Sequence, residues 1–538
     1  MAPVEPRRAL IFIGFMGAGK SRAAREVAAA LEVGALDSDA LLEEHLGRSI
    51  VREFELHGEA AFRKQEEELV VELLAAAGAG TVIALGGGSV LSERVQGLLE
   101  PHMTVLLDVD VECAWQRAQG EDRPLARDRA AFAELYAGRR GLYEGLADAI
   151  LPSADTAVRA LPALRALAAA PPGTRLLWAS AASGEYPVLV GSGLLAGEEA
   201  GKGAARGAGG GAARGAGGGW SQEVWPLDRA GSRGFCVSDE TVAALHAPPA
   251  NTMQALLSIK PGEQNKTLVS AEHVWRALVE GGMTRADHLV ALGGGVVGDL
   301  VGFCAATYQR GVPLVQVPTT LVAQVDSAYG GKTGVDLPEA KNYVGAYHQP
   351  AGVMVDPDTL LTLPRPEFQA GWVEVLKTAL IAGGELWRRV AADEPVDESM
   401  ILACARTKLA VVAQDERDGG RRQVLNLGHT VGHAIETATG YSRYRHGEAV
   451  GLGLLAALRL SGQDGLREQI GELLASHGLP VRFEGADVER VLEMTARDKK
   501  RLSASASVPF VLAQAPGDVR IGCEVAQDEL RAAVAELV

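Results

Sequence analysis

A chain of 538 residues is too long for one ordinary hydrophobic core and implies two to four domains. Its formal net charge of -16 argues against a nucleic-acid or anionic-membrane partner, so small anionic substrates would need locally basic pockets. Cys113, Cys236, Cys304, Cys404 and Cys523 are scattered, odd in number and free of C-x-x-C spacing, which fits reduced thiols in a cytoplasmic enzyme.

The apolar run Leu10 to Ile13 reads as a strand that feeds Gly14-Phe15-Met16-Gly17-Ala18-Gly19-Lys20-Ser21, a match to G-x-x-x-x-G-K-[ST] at every constrained position. Glycines let backbone N–H groups close around phosphates, Lys20 reaches the outer phosphate oxygens, and the Ser21 hydroxyl can hold Mg²⁺ of a bound ATP. Arg22 to Leu31 is compatible with the helix such a loop requires, and a cleaved signal peptide would destroy the site. Further strands are expected at Thr81 to Leu85 and Thr104 to Leu107, alternating with helices as in a parallel α/β sheet. The uncharged stretch Leu73 to Leu91 has nearly the length of a membrane span. Its five glycines make it helix end, turn, strand and glycine loop instead.

An Ala/Pro-rich connection, 152–185, separates this first unit, 1–151, from a new strand start at Tyr186 to Val190. The octapeptide AARGAGGG then occurs twice, at Ala204 to Gly211 and Ala212 to Gly219, and reads as a flexible surface insertion within about 201–219. The second unit alternates again through Gly234 to Val237, His288 to Leu292 and Leu314 to Val317. It becomes helix-rich from about Trp372, suggesting an α/β nucleotide-binding part over 186–370 and a helical part over 371–538.

In the first unit, Asp37-Ser38-Asp39, Phe54, Gly58-Glu59, Phe62-Arg63, Gly86-Gly87-Gly88, Arg123-Pro124-Leu125 and Arg139 near Tyr143 follow the phosphate loop in that order. Chemically, Asp37 can order Mg²⁺ water, Asp39 can bond a polyol hydroxyl and take its proton, and Arg63 and Arg139 offer forks for a carboxylate. The order and spacing resemble shikimate kinase across the whole unit. The resemblance implies that Gly86, Gly87 and Gly88 approach shikimate and that Arg123 lies on a lid over the phosphates. On the residues alone, a kinase for another small polyol, or a nucleotide-binding module without phosphotransfer, stays open.

In the second unit, Gly293-Gly294-Gly295-Val296-Val297-Gly298-Asp299 follows a strand, as a pyrophosphate-binding turn would. Downstream come Tyr308-Gln309-Arg310-Gly311, the run Pro318 to Asp336, Lys341-Asn342, Glu374 to Lys377, and three histidines in NLGHTVGHAIE and YRHGEAVGLG. By spacing, His429 and His433 share a helical face and suit a metal, while the absent H-E-x-x-H glutamate disfavours a zinc protease.

Together these motifs resemble 3-dehydroquinate synthase from about Tyr186 to the C-terminus, apart from the Gly/Ala insertion. The resemblance implies Zn²⁺ or Co²⁺ on Glu374, His429 and His446, with His433, Asp418 and Lys377 catalytic. It implies NAD at Asp239, Glu263, Lys266, Gly294, Gly295, Val296, Asp299, Thr319, Thr320, Lys332, Thr359 and Thr362. It places the substrate, a heptulosonate 7-phosphate, against Arg310, Asp326, Lys332, Lys341, Asn342, Lys408, Arg422, Asn426 and one of Lys499 and Lys500, and it implies a homodimer. The chain departs from the family pattern at Asp418, usually Glu, at Asp336, commonly Asn, and at Val373, often a small residue. A related sugar-phosphate cyclase or a metal-dependent alcohol dehydrogenase is the alternative for this half.

Overall fold

The computed structural model describes residues 9–119, 128–196, 225, 231–249, 252–500 and 509–538. Arg123 and the repeat insertion lie outside these residues, as do the side chains of Lys499 and Lys500. The chain divides into two compact units, one on residues 1–178 and the other on residues 229–538, with the segments between apportioned to both.

The inner strands of the first unit are short, mostly apolar runs that are almost wholly buried, as strands covered on both faces must be. Leu10–Ile13 is central, with Val82–Ala84 parallel on one side and Met103–Leu107 parallel on the other. Ala35–Asp37 adds beside Val82–Ala84, and Ala149–Leu151 adds beside Met103–Leu107. The first strand in sequence therefore has neighbours that leave in opposite directions, which opens a crevice at its carboxyl end. Three segments meet at that edge: the phosphate loop after Ile13, Asp37 to Asp39 after Ala35–Asp37, and the triple glycine after Val82–Ala84.

The long helix Ile50–Ala76 is bent at Gly58, where φ 78 and ψ 173 are accessible to glycine. Phe54 and Phe62 pack across the bend with ring centroids 4.5 Å apart. The segment read as an Ala/Pro-rich connection carries the helix Leu161–Ala169, with a proline in its first turn, and the strand Arg175–Ala181.

Within the second unit five parallel strands lie side by side in the order Gly352–Val355, Leu314–Pro318, His288–Gly293, Gly234–Asp239 and Ala255–Ile259. Phe235, Val237, Leu289, Ala291, Leu300 and Leu314 form its fully buried core. The helix Gly295–Thr307 follows the central strand, and the antiparallel hairpin Lys332–Leu337 with Ala340–Tyr347 lies against it. Helices Arg365–Ala382, Gly384–Ala391, Glu398–Gln414, His429–Ala438, His446–Leu460, Asp464–Ser476, Val488–Lys500 and Gln527–Ala535 follow. This part was expected to be helical, but it also contains the antiparallel hairpin Pro509–Ala515 with Asp518–Glu524. None of the described helices is long and apolar enough to cross a membrane.

Glycine decides how closely three of these helices approach. A Cβ on Gly447 would lie 1.8 Å from the Ala370 carbonyl oxygen, one on Gly453 would lie 1.8 Å from that of Gly428, and one on Gly432 would lie 2.9 Å from that of Ala449. Backbone thus meets backbone where His429–Ala438, His446–Leu460 and Arg365–Ala382 cross.

Candidate active sites

In the first unit the phosphate loop turns through three left-handed glycines, Gly14, Gly17 and Gly19, with φ of 141, 82 and 92. A side chain on Gly17 would collide with the Ala114 carbonyl oxygen at 2.4 Å, so Ala18 is the residue that tolerates a methyl there. Gly19 ends the loop, and no side chain caps the helix Lys20–Leu31, which leaves its first N–H groups for an anion. Lys20 Nζ donates to the carbonyls of Gly14 at 2.9 Å and Phe15 at 3.1 Å. This arrangement fits the phosphates of ATP, with backbone donors and Lys20 to receive them. Asp37 also caps the helix Ser38–Leu46, its Oδ1 accepting from the N–H of Asp39 at 3.1 Å.

The expected acid-binding residues come together beside this loop. A Cβ on Gly86 would fall 2.4 Å from Asp39 Oδ1, one on Gly88 would fall 2.0 Å from Arg63 Nη1, and one on Gly87 would fall 3.3 Å from the Met16 nitrogen. The triple glycine therefore lets backbone lie flush against the proposed base, the arginine and the phosphate loop at once. Arg139 and Arg63 lie within electrostatic range of the Tyr143 phenol. Burial raises the phenol's pKa while the two guanidiniums pull it down. Tyr143 donates to the Gly87 carbonyl.

Three residues here had no assigned role in the sequence. Buried Glu66 accepts from Arg63 Nη1 at 2.6 Å and from Ser89 Oγ at 2.9 Å, and Ser38 Oγ accepts from Gly86 N–H at 2.8 Å. Glu66 follows Arg63 by three residues, a helical spacing that could have flagged it.

In the second unit, Glu374 and Lys377 project from one face of Arg365–Ala382, while His429 and His446 are the first residues of their helices. The Nε2 atoms of His429 and His446 lie 3.9 and 3.6 Å from Glu374 Oε1. That oxygen is fully buried and receives no hydrogen bond from the described residues. His429 Nδ1 lies 3.1 Å from the Leu427 carbonyl, so it carries the proton and leaves the Nε2 lone pair facing the carboxylate. Burial first, then Lys377, His433 and His446, hold His429 well below the ordinary imidazole pKa.

An orphaned buried carboxylate oxygen facing two imidazole nitrogens is a donor set that fits Zn²⁺ or Co²⁺ with an open position for substrate. The His433 ring joins the group, and one ligand atom from each of the three histidines lies within 4.8 Å of the others. Its centroid is 5.2 Å from that of His429 and 5.7 Å from that of His446, and it is the exposed member.

Beside this cluster Lys377 Nζ sits 2.5 Å from Glu374 Oε2 and 3.1 Å from Asp326 Oδ2, and Lys408 Nζ binds Asp326 Oδ1 and its carbonyl. Burial opposes ionisation of Asp326, yet Lys377 and Lys408 hold its pKa far down. Burial lowers the pKa of Lys408. Arg422 is fully buried, donating to the carbonyls of Gly330 and Glu416, while its Nε has no partner among the described residues. Asp418, held at φ 65, reaches Lys332 in an ion pair despite its shorter side chain. Asn426 ends the short helix Arg421–Asn426 just before His429.

The nucleotide expectations map onto the carboxyl ends of the parallel strands. Gly294 caps the helix Gly295–Thr307 without a side-chain bond, and Val296 and Asp299 lie on that helix. Lys266 binds Asp299 at 3.3 Å, Glu263 at 3.0 Å and the Asn342 amide oxygen at 2.8 Å. Burial, only partly relieved by Lys266, raises the pKa of Asp299 to about 6. Buried Thr319 Oγ1 lacks a partner, and a Cβ on Gly294 would lie 2.8 Å from Thr320 Cγ2. An uncapped helix N-terminus at a glycine turn fits a dinucleotide pyrophosphate.

Not every expected contact is open to a ligand. Thr359 uses its buried hydroxyl on Asp356 and Gln324, Thr362 on Thr359 and His246, and Asp239 Oδ1 caps the helix Glu240–His246. Arg310 is exposed at φ 68 and has no ion-pair partner among the described residues. Asp336 Oδ1 accepts from the Asn342 N–H at 2.7 Å.

Residues 16–164 match the shikimate kinase family, residues 256–370 the 3-dehydroquinate synthase N-terminal family, and residues 371–501 its C-terminal counterpart. A 3-dehydroquinate synthase of Halorhodospira halophila is 39% identical over 382 residues, covering 68% of this chain and all of that protein. One of Geobacter metallireducens is 43% identical over 296 residues, covering 51% of this chain and 82% of that protein. Among solved structures, 2-epi-5-epi-valiolone synthase of Streptomyces hygroscopicus with NAD⁺ and Zn²⁺ bound is 27% identical. It covers 57% of this chain and 91% of its own, with a TM-score of 0.52. A 2-deoxy-scyllo-inosose synthase complexed with carbaglucose-6-phosphate, NAD⁺ and Co²⁺ shares the fold at TM-score 0.55 and 22% identity, covering 68% and 100%. The chain thus belongs to the 3-dehydroquinate synthase family and carries a shikimate kinase domain ahead of its synthase domains.

Proposed function

We propose that the first unit phosphorylates shikimate from ATP and that the second converts 3-deoxy-D-arabino-heptulosonate 7-phosphate to 3-dehydroquinate and phosphate. The observation that carries the second assignment is the buried Glu374 oxygen, without a hydrogen-bond donor, facing His429 and His446 beside the Asp326, Lys377 and Lys408 network.

In the kinase unit Asp39 takes the proton of the reacting hydroxyl, and Arg63 and Arg139 hold the substrate carboxylate. Glu66 keeps Arg63 aimed across the triple glycine. Lys20 exchanges its loop carbonyls for phosphate oxygens, and Ser21 and Asp37 serve Mg²⁺.

In the synthase unit the cation and NAD would supply Lewis acidity and a reversible hydride acceptor. Glu374, His429 and His446 hold the cation. The glycine turn Gly294-Gly295-Val296, with Glu263, Lys266, Asp299, Thr319, Thr320 and Lys332, holds the dinucleotide. Lys341, Asn342, Arg310, Arg422, Asn426, Lys408 and one of Lys499 and Lys500 neutralise and position phosphate and carboxylate, while Asp326 orients the lysines beside it. His433 moves a proton at its ring nitrogen, with Lys377 and Asp418 flanking the reacting centre. A homodimer and a cytoplasmic location accompany this reading; light scattering on a sizing column tests the first, and cell fractionation tests the second.

The experiment is phosphate release from the heptulosonate phosphate with NAD⁺, with and without chelator, while NADH absorbance is followed. Chelator-sensitive release without net NADH supports the synthase. Net NADH without phosphate release supports a dehydrogenase, and no release from metallated, NAD-replete protein points to a different cyclase substrate. Shikimate-dependent ADP formation tests the kinase separately.

A further inference from the structure

Glu436 closes the motif NLGHTVGHAIE and has no part in the residue assignments above. It lies on the inner face of His429–Ala438 and is 3% exposed. Its two oxygens point to different elements. Oε2 is 3.5 Å from His446 Nδ1, and Oε1 is 3.5 Å from Lys341 Nζ. The His446 ring is therefore strung between two buried carboxylates, Glu374 on the Nε2 side at 3.6 Å and Glu436 on the Nδ1 side. Lys341, on the strand Ala340–Tyr347, is further held over the Tyr441 ring at 4.6 Å.

We propose that Glu436 is a positioning residue for the metal centre, fixing the ring orientation and tautomer of His446 while anchoring Lys341 over the same site. The inference rests on the assignment of Glu374, His429 and His446 as the cation's ligands. A histidine that gives one nitrogen to a cation carries its proton on the other, and a carboxylate accepting that proton sets the ring plane and raises ligand basicity. His429 has the Leu427 carbonyl for this purpose; His446 has Glu436. The same carboxylate ties a metal-ligand helix to the hairpin strand that presents Lys341, so one residue serves both the cation and the anionic substrate. A buried glutamate retained only for packing would do neither.

The test uses the full chain and zinc as probe, with metal content counted after dialysis against buffers of fixed free Zn²⁺. Glu436→Gln keeps the volume and removes the charge. The expected result is a zinc dissociation constant raised roughly 10- to 100-fold, with the apoprotein's circular dichroism and melting temperature unchanged. Two further variants separate the roles: His429→Ala abolishes site binding, and Lys341→Met leaves zinc affinity intact while raising KM for the sugar phosphate. Glu436→Gln is expected to show the raised KM as well. Wild-type zinc affinity in Glu436→Gln, where His429→Ala has lost it, overturns the proposal. Wild-type protein that binds zinc no better than His429→Ala overturns the underlying ligand assignment, and the proposal with it. A Glu436→Gln apoprotein with altered dichroism and a lowered melting temperature assigns the residue to packing and also overturns it.

Discussion

Replacing Gly447 by alanine tests whether backbone contact between helices builds the metal site. The added Cβ would lie 1.8 Å from the Ala370 oxygen, 2.6 Å from its carbonyl carbon and 2.9 Å from its Cα. All three are backbone atoms, so no rotamer change relieves the clash. Bringing the shortest contact from 1.8 Å to the 3.0 Å floor for real Cβ atoms requires the helices to part by roughly 1.2 Å. His446 directly precedes Gly447, and Glu374 lies one turn beyond Ala370, so the displacement passes straight into the 3.6 Å gap between their ligand atoms. Metal coordination tolerates about 0.2 Å. We therefore expect zinc affinity to fall at least 10-fold, on the order of a lost outer-shell partner. Stability should fall by about 1–3 kcal/mol, the usual cost of overpacking. Gly451→Ala on the same helix is the control, because its Cβ would meet side-chain atoms and no backbone, Leu474 Cδ2 at 3.1 Å and Val373 Cγ1 at 3.7 Å. Zinc titration and thermal melting of both variants decide the matter. If Gly447→Ala binds zinc and melts like wild type, backbone contact does not set the ligand spacing.

Three further outcomes follow from the geometry. Lys20→Met should lower shikimate phosphorylation by roughly 10²- to 10³-fold, the scale for loss of one charge-stabilising donor, and leave phosphate release by the synthase unchanged in a parallel assay. Glu66→Gln weakens the 2.6 Å hold on Arg63 and should raise KM for shikimate about 10-fold, a loss of about 1.4 kcal/mol, with little change in kcat; an unchanged KM would remove Glu66 from the site. Asp287 is held far below the ordinary carboxylate pKa, chiefly by Arg233, with the Thr284 and Arg233 backbone N–H groups adding to it. A depressed folded pKa gives stability that is present above the unfolded value of 3.8 and lost as pH falls below it. Asp287→Asn should therefore cost about 2 kcal/mol near neutral pH, with the gap to wild type closing as denaturant melts are taken from about pH 5 to pH 2.

The parts of both sites that were readable in the sequence are those whose chemistry is local. The phosphate loop and the glycine turn state their function in consecutive residues, because backbone N–H groups do the binding. The histidines show as a cluster, but spacing alone favours His429 with His433. Glu374 emerges as the partner once Arg365–Ala382 is laid against the other helices. Glu66 and Glu436 look like ordinary helical acids until burial removes their solvent. Gly447 and Gly453 resemble weak helix formers in a glycine-rich run, and their role exists only as distances to other helices. The helix Leu161–Ala169 was hidden for the opposite reason: low-complexity alanine reads as a linker, although alanine is the strongest helix former and Pro162 is tolerated in a first turn.

The division into two compact units, each with its own site, has a consequence for dosage. A single reading frame delivers one kinase and one synthase per polypeptide, so expression cannot alter their ratio. Any imbalance between the two fluxes must be corrected by turnover number, by occupancy of the metal and nucleotide sites, or by substrate supply. Zinc shortage would then throttle one activity of a chain whose other activity depends on a different cation.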